Sequence, residues 1–258
     1  MSMKILLSLF LAWASYAASF NYVQSNSSAG ANSTLAFTSN NTAGNTIIVM
    51  WAGFGNNGQP SSITDSNSNT YTTIGFCNPC GDNNAQAVYV YMATSIASGA
   101  NTVTFHGIPG AASQNQIVAE YSVPSTYFVQ IFPWSNWLDQ TSIPTYWPDY
   151  SFGSPSFPSE VMLIVILYDA LFEHTWVASH GTVRQSTNEN GNRTAVLADY
   201  DVVSPSSQVT TALSATGGNS MDIIGYRLAL FVPAAGGGGS PGGAAFVSKL
   251  HPPNPRKD

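Results

Sequence analysis

The sequence predicts an all-β protein: a two-sheet antiparallel β-sandwich of jelly-roll or Ig-like type. Two observations carry this. Short apolar or alternating runs recur along the chain with turn residues between them, the signature of sandwiches and barrels. No long stretch has the 3.6-residue periodicity of an amphipathic helix; only ALFEHTW, from Ala170, has the character of a helical turn.

The elements follow in order. Thr46 to Ala52 (TIIVMWA) reads as a buried strand. Ala87 to Thr94, Asn101 to Gly107 and Gln116 to Val123 alternate in the way half-buried strands do. Glu160 to Asp169 (EVMLIVILYD) is apolar almost throughout, as in a central strand covered on both faces. Arg193 to Val203, Ser207 to Ala215 and Met221 to Val232 complete the set. Turn signals intervene at Ala43, Ala97, Asn188 and Thr216. Phe132 to Ser159 is rich in Pro and aromatics and reads as a long surface excursion. No internal repeat is visible. The organisation is a signal peptide over 1–17, a sandwich domain over 20–233, a glycine-rich linker over 234–243 and a tail over 244–258.

The leader has one cation, Lys4, then an apolar run from Ile5 to Ala14, then Ser15, Tyr16 and Ala17 in a small-x-small order. That is the pattern of a secretory signal peptide, and the run is short for a membrane span. The expected location is extracellular or at the cell surface, with no membrane association after cleavage. Charged residues are 8% of the chain, against roughly 25% in an average domain. Between the leader and the tail the only cations are Arg184, Arg193 and Arg227. Three arginines build no basic patch, which excludes nucleic acid and anionic membranes as partners.

TAGNTIIVMWAGF, ITDSNSNTYTTIG, YMATSIASGANTVTFHG, AEYS and LDQTS occur in that order. This succession resembles a group of secreted bacterial β-sandwich proteins from environmental genomes, over roughly residues 35–233. The resemblance implies an extracellular jelly-roll or Ig-like sandwich and carries over no catalytic residue. By analogy it admits a subunit of a surface filament.

Asp65, Asn67 and Asn69 stand at alternate positions, as oxygen ligands do at the start of a calcium loop. An EF-type loop also wants Gly at its sixth place and Glu at its twelfth; Thr70 and Phe76 stand there. A polar turn is therefore preferred to a metal site, because Asx side chains bond their own backbone. Cys77 and Cys80 are the only cysteines. With no second pair for zinc, and in an exported chain, they are expected to form a small disulfide loop. Asn26, Asn32, Asn40 and Asn192 each begin a glycosylation sequon.

Catalysis has little to stand on. His106, His174, His180 and His251 are scattered, and Ser220 lacks the nucleophile-turn pattern because Asp222 replaces its final Gly. Glu120 and Asp169 are the carboxylates a glycosidase pair would draw on. Trp134, Trp137, Tyr146, Trp147 and Tyr150 crowd the excursion; they pin a loop, face another subunit, or stack on sugar rings.

The expected function is non-enzymatic and needs no cofactor: a secreted structural protein that self-associates, as a homo-oligomer or filament, through edge-strand pairing. The arms to donate a strand are SFNYVQSNSS near Phe20 and AAFVSKL in the tail. A carbohydrate-binding module using the tryptophans is the alternative, and a jelly-roll glycan hydrolase or lyase a third.

Overall fold

The computed structural model describes residues 19–30, 32–54, 60–80, 86–108, 114–138, 160–169, 175–178, 181–189, 193–203, 213–216, 221–232 and 245–248. The leader, the linker, and the expectations placed on Tyr146, Trp147, Tyr150, His174, His180, Asn192, Ser220 and His251 lie outside these residues.

Strand follows strand throughout, with no helix among the described residues. The first half holds β1 (Asn21–Ala29), β2 (Thr34–Ala36), β3 (Thr46–Phe54), β4 (Ser62–Asp65), β5 (Thr72–Cys80), β6 (Gln86–Ala93), β7 (Thr102–His106) and β8 (Gln114–Ser122). The second holds β9 (Phe128–Leu138), β10 (Glu160–Asp169), β11 (Thr175–Ala178), β12 (Thr182–Glu189), β13 (Arg193–Val203), β14 (Leu213–Thr216), β15 (Met221–Val232) and β16 (Ala245–Ser248).

The two main sheets have the orders β1-β8-β3-β6-β5 and β12-β13-β10-β15-β9-β16. They pack face to face as an antiparallel β-sandwich. Alternation along each strand sets what fills the space between. Ile48, Met50 and Ala52 of β3 meet Met162, Ile164 and Ile166 of β10 in one core. The expected sandwich is thus present, with more built onto it. Ile47, Val49 and Trp51 point the other way, into a second core with Leu35, Ile63, Val103 and Phe105. These last come from a three-stranded sheet, β2-β7-β4, which covers the outer face of the first main sheet. On the far side Trp176 of β11 packs over Val165, Leu167 and Val196. This layering is why β6 and β10 are buried at every position: a strand covered on both faces needs a continuous apolar run.

The two sheets share one plan. Read from its β9 side, the second sheet runs β9-β15-β10-β13-β12. Those strands hold, one for one, the places of β1-β8-β3-β6-β5. The outer pairs agree as well: β4 pairs β7 and β11 pairs β14, both antiparallel. The register of β5 on β6 shifts after Thr73, and that of β12 on β13 shifts after Val183. Edges face one another reciprocally, β1 against β12 and β5 against β9. The chain is therefore a topological duplication: two lobes with the same strand plan. The sequence shows no repeat because the plan constrains which positions are apolar, not which residues fill them.

Two expectations are corrected. Phe132 to Leu138 is not part of a loop: it continues β9, paired with β15 from Phe128↔Phe231 to Leu138↔Met221. Pro133 is tolerated because β16 borders only Phe128 to Ile131, so Pro133 faces an edge without a described neighbour. Residues 175 and 176 of the suspected helical turn form strand instead, held by the pairing of β11 with β14. Both candidate arms pair within their own chain, the N-terminal one on β8 from Asn21↔Ser122 to Ala29↔Asn115 and the C-terminal one on β9 from Ala245↔Phe128 to Ser248↔Ile131.

Candidate functional site

Glu120 sits fully buried near the C-terminal end of β8. Four donors meet its carboxylate. Gln24 Nε2 (2.7 Å) and Asn41 Nδ2 (2.6 Å) donate to Oε2. The Thr42 N–H (2.8 Å) and Asn45 Nδ2 (2.7 Å) donate to Oε1. Gln24 in turn accepts from the Ser39 N–H and Oγ through its Oε1. The cluster ties β1 and the segment before β3 onto β8. Glu120 and Asp169 do not form a catalytic pair: Glu120 lies on the outer side of the first sheet, and Asp169 continues the outer-facing series Val165, Leu167 of the second.

Asp65 is held on every side by hydrogen bonds. Oδ1 accepts from the backbone of Asn67 (3.1 Å) and Asn69 (2.9 Å). Oδ2 accepts from Asn69 Nδ2 (2.7 Å), the Tyr71 hydroxyl (2.8 Å) and Asn101 Nδ2 (2.9 Å). The carboxylate closes an Asx turn and clamps β4 to β7, with Ser68 at φ 60 completing the bend. Burial works against its charge, but the bonds from Asn101, Asn69 and Tyr71 outweigh it and hold the pKa below 3.8. Burial and the neighbouring Asp65 charge push the Tyr71 phenol up.

A consequence can be measured. Asp65→Asn presents an amide to donors that need an acceptor, so it should cost about 2–3 kcal/mol at neutral pH. A carboxylate with a depressed folded pKa stabilises fully above its unfolded pKa, and loses that contribution as pH falls through the folded value. Urea unfolding should therefore show the gap between wild type and D65N closing in strong acid. A gap that persists there would refute the clamp.

A further polar group lies where β1 faces β12. A cleft of about 200 Å³ opens there, lined among others by Asn21, Tyr22, Gly181, Thr182, Arg184 and Asp201. Asp199, 3% exposed, stands at its back. Arg184 Nε donates to Asp199 Oδ1 (3.0 Å) and Oδ2 (2.9 Å). The buried Tyr121 hydroxyl donates to Oδ2 at 3.1 Å from the opposite sheet. The guanidinium lies over the Tyr22 ring, its Cζ 4.1 Å from the centroid, a cation–π contact. Burial opposes the Arg184 charge, yet the bond to Asp199 and its charge hold the pKa above the ordinary arginine value. Burial, then the Asp199 charge, raises the Tyr121 phenol. The register shift in β12 falls between Val183 and Gln185, so Arg184 is the unpaired residue that the bulge re-aims. Gly181, at φ +89, fits because a Cβ there would strike the Asp199 carbonyl.

Of the residues singled out from sequence, few gather at a site. Trp134 and Trp137 lie on β9, opposite Gly225 and Asp222; their side chains, like that of Cys80, lie outside the described set. Cys77 pairs with Val88 and Cys80 with Gln86, across an irregularity in β5, and the expected disulfide falls on that undescribed side chain. Asn26 Nδ2 is bonded to the Ala36 carbonyl (2.8 Å) and Asn32 Nδ2 to that of Ala29 (3.0 Å), while Asn40 is exposed. His106 meets Thr64 Oγ1 through Nε2 (2.7 Å). The Arg184–Asp199–Tyr121 group was not anticipated. Its one signal was scarcity: in a chain this poor in cations, an arginine inside a strand is an expense that needs a reason. The chain matches no known family model, no curated protein and no solved structure.

Proposed function

We propose that this is a secreted, non-enzymatic structural protein that self-associates outside the cell by exchange of its C-terminal strand. The observation that carries the reading is β16. It is four residues long and pairs in parallel with β9 from Ala245↔Phe128 to Ser248↔Ile131. It follows a glycine-rich stretch, residues 233–244. Such a tether reaches up to roughly 40 Å when extended. A strand held by so few pairs on so long a leash can be offered to the β9 edge of a neighbour instead of its own.

Other features support the same reading. β1 is committed to its own sheet through Gln24 and Glu120, which leaves the C-terminal arm as the one to exchange. Glu120, Asp65 and Asp199 are each taken up by structural donors, so these buried carboxylates are not poised for acid–base work. Low charge lessens repulsion between copies. The leader fits export, and Asn40 is an exposed sequon among the described residues, open to a glycan.

Light scattering on the full mature chain and on a chain ending at residue 232 tests it. The full chain should form dimers or longer species that grow with concentration, and the shortened chain should stay monomeric. Equal behaviour of the two chains, whether both monomeric or both assembled, would refute strand exchange.

A further inference from the structure

We propose that export cuts this chain between Ser19 and Phe20, and that the α-ammonium so freed is the ionic partner of buried Glu160. The inference starts from a shortfall. Glu120 accepts four hydrogen bonds and Asp65 five. Asp199 is met by Arg184 and Tyr121. Glu160 is buried too, at 7% exposed, but accepts a single hydrogen bond among the described residues: the Phe20 N–H donates to Oε1 at 2.7 Å. A buried carboxylate with one neutral donor is a costly arrangement, and a cation at that donor's place relieves it.

The fold sets the Phe20 nitrogen there. Glu160 opens β10 and continues the inward series Met162, Ile164 and Ile166. Phe20 stands just before β1, its ring 1% exposed in the same core and edge-on to Tyr127, with centroids 6.1 Å apart. The ring anchors the residue whether or not anything precedes it. Ser19 is held by the exposed Asn21 amide, which donates to its carbonyl (3.1 Å) and its Oγ (2.9 Å), so losing Ser19 costs the fold little.

The sequence supplies the cut. Ala17, Ala18 and Ser19 repeat the small-x-small order two residues after Ser15, Tyr16 and Ala17, and leader removal reads small side chains at those two places. A cut after Ala17 leaves the Phe20 nitrogen a neutral amide. A cut after Ser19 adds water across one peptide bond: the C–N bond breaks, Ser19 leaves with a carboxylate, and the Phe20 nitrogen becomes an ammonium. The leader is removed before the chain folds, so the burial of Phe20 is no obstacle. Phe20 begins the first lobe and Glu160 the central strand of the second, so the ion pair ties the lobes together in the processed chain. This inference rests on the export part of the proposed function and not on strand exchange.

Mass spectrometry of the secreted protein should find Phe20 as its first residue. A secreted chain beginning at Ala18 overturns this inference alone; a chain that keeps its leader overturns the export reading with it. Chains made to begin at Phe20 and at Ala18 test the pair itself. At neutral pH an amine-reactive ester should label the α-amine of the native Phe20 chain roughly tenfold more slowly, because the reagent attacks only the neutral amine and Glu160 keeps it protonated. Glu160→Gln should lower the melting temperature of the Phe20 chain by about 4 °C more than that of the Ala18 chain, and acetylating the Phe20 amine should remove that difference. Equal labelling rates, or equal losses in the two chains, overturn the proposal. The labelling result decides the matter even where E160Q does not fold.

Discussion

Replacing Glu120 with alanine should cost about 3–5 kcal/mol, because several neutral donors lose one shared acceptor at roughly 1–3 kcal/mol for each that stays buried, out of the roughly 5–15 kcal/mol that holds a typical domain together. The side-chain amides of Gln24, Asn41 and Asn45, which now end on the carboxylate, would be left buried without that acceptor, and the Thr42 N–H would lose it at the edge of the cluster. The damage should spread through Gln24 to Ser39 and Asn40, because Gln24 bonds both the carboxylate and that segment. Glu120→Gln is the finer test. It keeps the shape, but whichever way the amide turns, two donors meet an NH2 group. We expect about 2–3 kcal/mol, read as a fall in the urea midpoint with unchanged slope. The Thr42 amide should lose hydrogen-exchange protection first. A neutral E120Q would mean that the carboxylate is not what fastens β1 to β8.

The second large effect is expected at Gly225. This residue lies in β15 between Leu167 of β10 and Trp134 of β9. A Cβ there would strike Leu167 Cδ2 and stand 2.5 Å from the Ile166 carbonyl oxygen. The side chain can turn aside, but the carbonyl belongs to the sheet's central ladder and cannot. Gly225→Val should therefore cost about 3 kcal/mol through overpacking. Gly44 is the natural comparison: at φ +86 and with nothing near its missing Cβ, Gly44→Ala should cost about 1–2 kcal/mol of backbone strain alone. Thermal unfolding of both variants separates crowding from conformation. Equal losses would mean that the close approach at Gly225 is not limiting.

How far the fold was legible depended on what each strand must bury. β10, β13 and β15 end where their apolar runs end, because central strands need side chains suited to cover on both faces. β1 was taken for a loose arm. Its residues NYVQSNSSA are mostly polar, and their burial rests on partners far off in sequence: the Glu120 cluster through Gln24, Gln116 for Ser28 (2.7 Å), and Gln185 for Ser27 across the seam (2.9 Å). β9 was misread because Pro and aromatics signal loops when taken alone, and an edge strand admits both. The third layer was hidden for a different reason: Trp51 and Tyr89 alternate with core residues just as solvent-facing ones would, and periodicity does not say what covers a face. For the site, sequence gave the scarce arginine but not its company, since Tyr22, Tyr121 and Asp199 reach it from three different strands.

The duplicated plan bears on how the chain comes into being. Strands β1 to β8 pair only among themselves in the main and outer sheets of their lobe, so the leading lobe can condense before the trailing one emerges. Until then, Ile48, Met50, Val90 and Ile117 would form an uncovered oily plate with nothing to shield it. That interval is when newly made molecules are most prone to clump, and a carrier that covers the plate until its second half arrives would decide the yield.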